Sequence, residues 1–367
     1  MKWEAWQHDL MRSALEEAAK GRGKTHPNPA VGAIVARGKR ILGKGYHRRW
    51  GLPHAEVVAV KDAGPTCKGA DLYVTMEPCC HWGRTPPCTD AIVDNRIRRV
   101  FVAILDPNPL VRGKGIRALR RAGLVVQVGL EGRAARRINE SYITFMETGR
   151  PFVTLKVAQT LDGRNATRQG ESKWITSSEA RRHARRMRAE AQAIMVGVRT
   201  VIADNPGLLP SPRRRDFYRC VLDTNLSIPD KSDLVRTAAT FPTIVYHSRA
   251  DGRRAAELKK MGVILRRIRR NAGGLIDIRR VLDDLASRVV MHLFVEGGSA
   301  VASSFLEAGL VDRLAVFVAP RVMGDQSGIG SFANIDVNRL DKCYAFRIDR
   351  TARVGRDLLA ILYPERG

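Results

Sequence analysis

No stretch of the chain approaches the run of about 20 apolar residues that a membrane-spanning helix needs, and the opening segment MKWEAWQHDLMRS lacks the uninterrupted apolar core of a signal peptide. Both absences argue against membrane association and make the cytoplasm the expected location. Cysteine is scarce, at six in 367 residues, and its irregular spacing is unlike the disulfide framework of a small secreted domain. Three of the six, Cys79, Cys80 and Cys88, fall in one short segment beside His81, which suggests a metal. No internal repeat is visible. No Gly-x-Gly-x-x-Gly follows a predicted strand either, so a dinucleotide-binding Rossmann half is unsupported and any nicotinamide cofactor must be held differently.

Acidic residues are also few: 37 Asp+Glu against 63 Lys+Arg leave a formal net charge of +26. The excess is spread over both halves, with arginine scattered through helical segments such as RRHARRMRAEA and IRALRRAG. A protein that tracks nucleic acid would concentrate its charge in a tail or stripe, so a solvated basic surface that attracts phosphorylated ligands is the favoured reading and a nucleic-acid partner is not expected. At 44% hydrophobic content the chain is long enough for two globular domains.

The periodicity of the first half alternates. An amphipathic helix over 5–20 precedes strands at AVGAIVA and RILGKGY, a helix at HAEVVAVKDAG and a buried strand at DLYVTM. A Pro/Cys/Gly-rich loop follows, then a helix at TDAIVDN, a strand at RRVFVAIL, a helix at GIRALRRAG and a strand at LVVQVGL. Such alternation predicts a layered α/β sheet. Residues 147–151, with Gly149 and Pro151, are the candidate linker. The second half restarts with strands at FVTLKVA, AIMVGV, RCVLD, TIVYHS, MHLFVEGG and RLAVFVA. A helix is expected to begin at Thr176, where Thr-Ser-Ser-Glu forms a capping box with Glu179. The arginine-rich segments SPRRRD and RRIRRN read as exposed loops.

Chemistry concentrates around His54, Glu56 and the segment Pro78-Cys79 to Pro87-Cys88. One imidazole and two thiolates suit zinc and leave the fourth tetrahedral position for water, as a catalytic site requires. Glu56, two residues after the histidine, is placed to move a proton without being a ligand. The pattern matches the zinc-deaminase signature His-x-Glu with Pro-Cys-x-x-Cys, except that eight residues separate Cys79 from Cys88. Cys80, His81 and Cys67 therefore stay open as alternative ligands. Cys79 is favoured because it follows Pro78, and Cys88 because Pro86-Pro87 can start a helix that presents it. A purely structural zinc site would use a fourth protein ligand and would not need the acid at 56. In the second half, Glu296-Gly297-Gly298 closes a strand and a helix begins at Ser299, offering backbone N–H groups and a positive helix end to a phosphate.

The segments THPNPAVGAIV, GYHRRWGLPHAEVVA, EPCCHWGRTPPC and DPNP, together with the second half, resemble the bifunctional deaminase-reductase family of riboflavin biosynthesis. The resemblance runs over nearly the whole chain. It implies a three-layer cytidine-deaminase-like α/β domain over residues 1–148 and a dihydrofolate-reductase-like α/β domain over 149–367. The first would deaminate a phosphoribosylated diaminopyrimidine with Zn2+, and the second would reduce the ribosyl group to ribityl with NADPH. A homo-oligomer is the expected assembly, although no residue pattern in the sequence specifies it. Carried over residue by residue, Asn28, His47, Arg84, Asp106 and Asn108 stand where the family holds the pyrimidine and its ribose phosphate; without the resemblance, Asn28 and Asn108 would read as turn residues. Ala158, Trp174, Thr200, Asp204, Thr224 and Gly298 fall at cofactor contacts, and Ser172, Arg188, Leu208 and Glu296 at substrate contacts. Core packing is the alternative for Trp174 and Thr200.

One departure stands out. Where the family usually continues Asn-Pro-x-Leu with Thr-x-Arg, this chain reads Leu208-Leu209-Pro210-Ser211, which leaves Arg213, Arg214 or Arg215 to replace the displaced bidentate donor. The same chemistry serving a specialised flavin-like product, with a weakened reductase, is the alternative reading. A nucleic-acid base deaminase is a more distant one.

Overall fold

The segments AVGAIVA and RILGKGY pair as an antiparallel hairpin, β1 (Gly32–Arg37) and β2 (Arg40–Tyr46), and this hairpin opens the first of two sheets. The structure is a computed structural model and describes residues 3–250, 252–333 and 335–365. The chain divides into two compact units, Met1–Gly149 and Arg150–Gly367.

In the first unit, β3 (Asp71–Val74), β4 (Arg99–Val102) and β5 (Val125–Val128) complete a sheet of order β2-β1-β3-β4-β5, antiparallel around β1 and parallel from β3 onward. Successive strand residues face opposite sides, so Gly32 meets α1 (Ala5–Ala19) while its neighbours Ala33 and Val35 pack with Ala55 and Ala59 of α2 (Ala55–Ala63) on the other face. The result is three layers. Helix α2 rests directly on β2: a Cβ at Gly45 would lie 2.3 Å from the Ala55 carbonyl oxygen. The remaining helices are α3 (Cys88–Asp94), α4 (Lys114–Arg121), α5 (Gly132–Ile138) and α6 (Glu140–Thr148). The last two were not foreseen, and α6 occupies the start of the expected linker.

The second unit holds a nine-stranded sheet. Strands β6 (Phe152–Gln159), β8 (Ala193–Gly197), β9 (Tyr218–Leu222), β10 (Thr243–His247), β11 (Ile264–Arg267), β12 (His292–Glu296) and β13 (Arg313–Val318) run parallel in the order β11-β10-β9-β8-β12-β6-β13. Antiparallel β16 (Asp357–Pro364) and β15 (Phe346–Val354) extend one side, and β7 (Arg164–Ala166) pairs with β14 (Ile329–Gly330) in a separate ribbon. Both faces are covered. Met195 packs with α11 (Ile278–Ser287) and α12 (Ser299–Glu307), while Ile194 and Val196 pack with α9 (Asp233–Arg236) and α10 (Arg253–Lys260). Helix α8 (Val198–Asp204) follows β8 directly.

Two expectations change. The helix expected to start at Thr176 is α7 (Ser178–Ala189), capped by Ser177, whose hydroxyl accepts from the Ala180 N–H at 3.2 Å. Asp357 sets the register by accepting from the Ser177 N–H at 2.7 Å and from its hydroxyl at 2.6 Å, a contact no local pattern could show. RRIRRN is not wholly loop, because Arg266 and Arg267 belong to β11 and pair with Tyr246 and His247. Among the described residues no helix is long and apolar enough to cross a membrane.

Candidate active sites

His54 caps α2 and Glu56 lies in its first turn, so both follow from the seating of that helix on β2. Cys79 follows β3, and Cys88 is the first residue of α3 with Pro87 as its cap. The Cys88 backbone N–H points at the Cys79 sulfur, 3.4 Å away, which favours a thiolate there. His54 Nδ1 lies 3.1 Å from Cys88 Sγ and 3.5 Å from Cys79 Sγ, and the two sulfurs are 3.4 Å apart. Each separation is below the roughly 4.6 Å spanned by two zinc–sulfur bonds end to end, so one ion can reach all three atoms.

Charge balance agrees with that donor set. Hydrogen bonds from Cys88 and His54 hold the Cys79 thiol below the ordinary cysteine range. Burial pushes the Glu56 carboxyl up to about 7, close to where a proton carrier works at neutral pH. Cys80 is half-buried, its thiol pushed up by burial, and it stands outside the ligand group, as does His81. Cys67 is a buried thiol that donates to the Asn95 carbonyl at 3.7 Å.

The group opens into a cleft lined by Asn28, His47, Arg84, Asp106 and Asn108. The His47 Nδ1 sits 3.2 Å from the Pro53 carbonyl, which can only accept, so Nδ1 carries the proton and Nε2 accepts from the Asn28 amide at 3.1 Å. Burial keeps that imidazole below its usual pKa and therefore neutral. Asn139 holds the Asn28 loop by two hydrogen bonds to Ala30, at 2.8 and 2.9 Å. On the opposite wall Asp106 accepts from the Asn108 N–H and from the Tyr142 hydroxyl, both at 2.9 Å, while burial raises its pKa. Buried Glu77 accepts from Gly113 and Ile116 at 2.9 and 3.2 Å, fixing the start of α4 beside the DPNP loop. The helix fits there because residue 115 is glycine: a Cβ would lie 2.0 Å from the Pro78 carbonyl oxygen.

Sequence reading missed Trp50, Glu77 and Tyr142, all of which line this cleft. Trp50 sits inside the GYHRRWGLPHAEVVA segment and was visible there. Glu77 likewise opens the segment EPCCHWGRTPPC, whereas Tyr142 is joined to Asp106 only through the fold.

In the second unit the carboxyl ends of β6, β8, β9 and β12 lie side by side, because parallel register aligns Glu296 with Lys156 and Gly197 with Leu222. That edge is where open α/β sheets take ligands. Ala158 lies near the end of β6, Thr224 two residues beyond β9, and Gly298 caps α12. The Thr200 hydroxyl packs against the glycine turn, 3.4 Å from where a Cβ at 298 would stand. Ser172 and Asp204 meet at 3.4 Å. Trp174 is 60% exposed with the Arg181 guanidinium 4.2 Å from its ring centre, so core packing is not its role.

Arg188 donates twice to Glu296, at 3.0 and 2.8 Å, and once to the Leu209 carbonyl at 2.9 Å. Leu208 is buried with a φ of 53°. Burial pushes Glu296 up, but Arg188 and Lys156 more than offset it and hold the carboxyl below its usual range. Lys156, also missed in the sequence, is lowered by burial with Glu296 pulling the other way. Of the arginines considered as replacements in the altered loop, Arg214 is committed elsewhere, donating to the carbonyls of Ala189 and Ala191 at 3.3 and 2.8 Å at the end of α7.

Residues 151–359 match the family model of the RibD C-terminal domain, and residues 4–104 match the cytidine and deoxycytidylate deaminase zinc-binding region. The chain is 44% identical over 353 residues to the riboflavin biosynthesis protein RibD of Aquifex aeolicus (strain VF5), covering 96% of each. It is 36% identical over 363 residues to that of Escherichia coli (strain K12), covering 95% of this chain and 96% of the other. Among solved structures, Acinetobacter baumannii RibD (form 1) superposes with a TM-score of 0.87 at 34% identity, covering 98% of this chain and 99% of that one. A deaminase/reductase from Thermotoga maritima gives 0.86 at 32% identity, covering 98% and 99%.

Proposed function

The chain belongs to the bifunctional deaminase-reductase family of riboflavin biosynthesis, and from that premise we propose how its residues divide the two reactions. The protein deaminates a phosphoribosylated diaminopyrimidine hydrolytically and reduces the ribosyl group of the product to a ribityl chain. The carrying observation is the convergence of His54, Cys79 and Cys88 on one point, with Glu56 buried beside them at the floor of a cleft.

His54, Cys79 and Cys88 hold the zinc. When bound, zinc lowers the pKa of a water toward neutrality and so supplies the nucleophile. Glu56 takes a proton from the incoming water and delivers it to the departing amino nitrogen; the C–N bond breaks, ammonia leaves and a ring carbonyl remains. Asn28, His47, Asp106 and Asn108 hold the pyrimidine and ribose with neutral or shared-proton partners, and Arg84 takes the phosphate.

NADPH, when bound to the second unit, supplies the hydride that opens the ribosyl ring. Ala158, Trp174, Thr200, Asp204, Thr224 and the Gly298 turn cradle that cofactor along the carboxyl edge of the sheet. Ser172, Arg188, Leu208 and Glu296 position the sugar phosphate. Mass analysis of the products formed from the phosphoribosylated diaminopyrimidine tests both units. Without NADPH the expected product has lost an amino group, and with NADPH it also gains two hydrogens; unchanged substrate in both arms overturns the reading.

We place the protein in the cytoplasm, where the thiols of Cys79 and Cys88 stay reduced and able to bind zinc. We also propose a homo-oligomer, since β15 ends the nine-stranded sheet with an outer edge that a second copy can cover. A monomeric mass by light scattering would overturn the latter.

A further inference from the structure

Arg84 is exposed at the cleft mouth, and among the described residues no hydrogen-bond acceptor or carboxylate engages its guanidinium. An arginine in that situation ordinarily samples many rotamers, which it must give up on binding an anion. Here one contact restrains it. Its guanidinium carbon lies 3.8 Å from the centre of the Trp50 ring. A guanidinium stacked on an aromatic ring has its flat face occupied and its N–H donors, which lie in its plane, left for an anion. Trp50 is itself 45% exposed and lines the same cleft, so its ring is not there to fill a core. Gly51, with a φ of 81°, makes the left-handed turn just after the indole that brings this backbone alongside Arg84, where a Cβ would stand in ordinary contact 3.9 Å from Nη1.

We propose that Trp50 is a positioning residue for deamination: its indole face holds the Arg84 guanidinium over the cleft with the donor edge turned to the substrate phosphate. The inference rests on Arg84 as the phosphate-binding residue, and it assigns to Trp50 the pre-organisation of that contact. The benefit goes to binding and not to the chemical step, because the phosphate lies away from the reacting carbon.

The test compares deamination of the phosphorylated substrate and of its dephosphorylated nucleoside by the full-length zinc-loaded protein and by W50A, W50F, R84A and W50A/R84A. W50A is expected to raise KM for the phosphorylated substrate about tenfold, equivalent to about 1.4 kcal/mol, with kcat and the nucleoside KM within about twofold of the parent. W50F keeps a stacking face and should restore KM to within about threefold. The double variant should match R84A alone, since Trp50 acts only through Arg84. Competitive inhibition by inorganic phosphate should weaken in W50A by the same factor. If R84A discriminates between the two substrates and W50A does not, the positioning role falls while the phosphate reading of Arg84 stands. If R84A affects both substrates alike, both ideas fall. A W50A that impairs the nucleoside as much as the nucleotide would mean that the indole stacks on the pyrimidine itself, and the proposal fails.

Discussion

The two units solve the problem of site-building differently. In the first, the reactive groups come from two short stretches, and each is fixed by close backbone contacts: α2 against the glycines of β2, and α3 against the Cys79 turn. In the second, the candidate contacts are spread from Ala158 to Gly298, and a parallel sheet brings them to one edge, with Arg188, Glu296 and Lys156 as the charged centre. A compact motif concentrates its chemistry in a few residues and tolerates little movement. An edge-assembled site shares its function over many contacts, and its weak point is the charge balance that holds them.

The sharpest way to separate the two is Glu56→Gln. Loss of the proton carrier should lower deamination by about a thousandfold while zinc content stays at the parent level. NADPH oxidation with the deaminated intermediate should be unchanged, and a parallel fall in both activities would erase the contrast. Next in size, Arg188→Met leaves Glu296 as a half-buried carboxylate with Lys156 as its remaining cation, with an expected cost of about 3 kcal/mol to the second unit and loss of reduction, read by denaturant titration. The folded pKa of Glu296 is depressed, so its ion pair contributes fully above the unfolded glutamate value of about 4.3 and is lost as pH falls through the lower folded value. In the variant that acid limb should move to higher pH.

A smaller effect is expected at the contact that seats the first site. Gly45→Ala forces α2 away from β2, costing about 1–3 kcal/mol and displacing His54 and Glu56 together; ammonia release should fall while reduction persists. Smallest is Ser177→Ala, which removes the cap of α7 and one partner of Asp357. About 1 kcal/mol is expected, visible as a lower thermal midpoint of the second unit without change in either activity.

The same contrast governs what could be read in the sequence. Strands β1 and β2, helix α2 and the paired cysteines were legible because their signals are local: alternation, helical spacing and a ligand motif. Helices α5 and α6 escaped notice because the segment EGRAARRINESYITFMETG breaks at Asn139, where the chain turns to serve the Asn28 loop. Strand β15 escaped because its residues are mostly exposed and four of the nine are charged, with little apolar alternation. Tyr142 and Glu77 are ordinary residues until the fold brings them to Asp106 and to the start of α4. Lys156 was hidden inside an apolar strand, where a lysine is conspicuous only once Glu296 is seen beside it.

The two hydrogen bonds between Asn139 and Ala30, one donated by each, and that from Tyr142 to Asp106, set a minimum length for a freestanding deaminase cut from this chain. The matched zinc-binding region ends at residue 104, and a fragment stopping there would carry His54, Cys79 and Cys88 while losing Asp106 and Asn108 outright and leaving the Asn28 loop without its Asn139 anchor. Such a fragment should still take up zinc and yet turn over poorly. A functional excision has to run through the end of α6, so the helices with the faintest sequence signature decide where the enzyme can be divided.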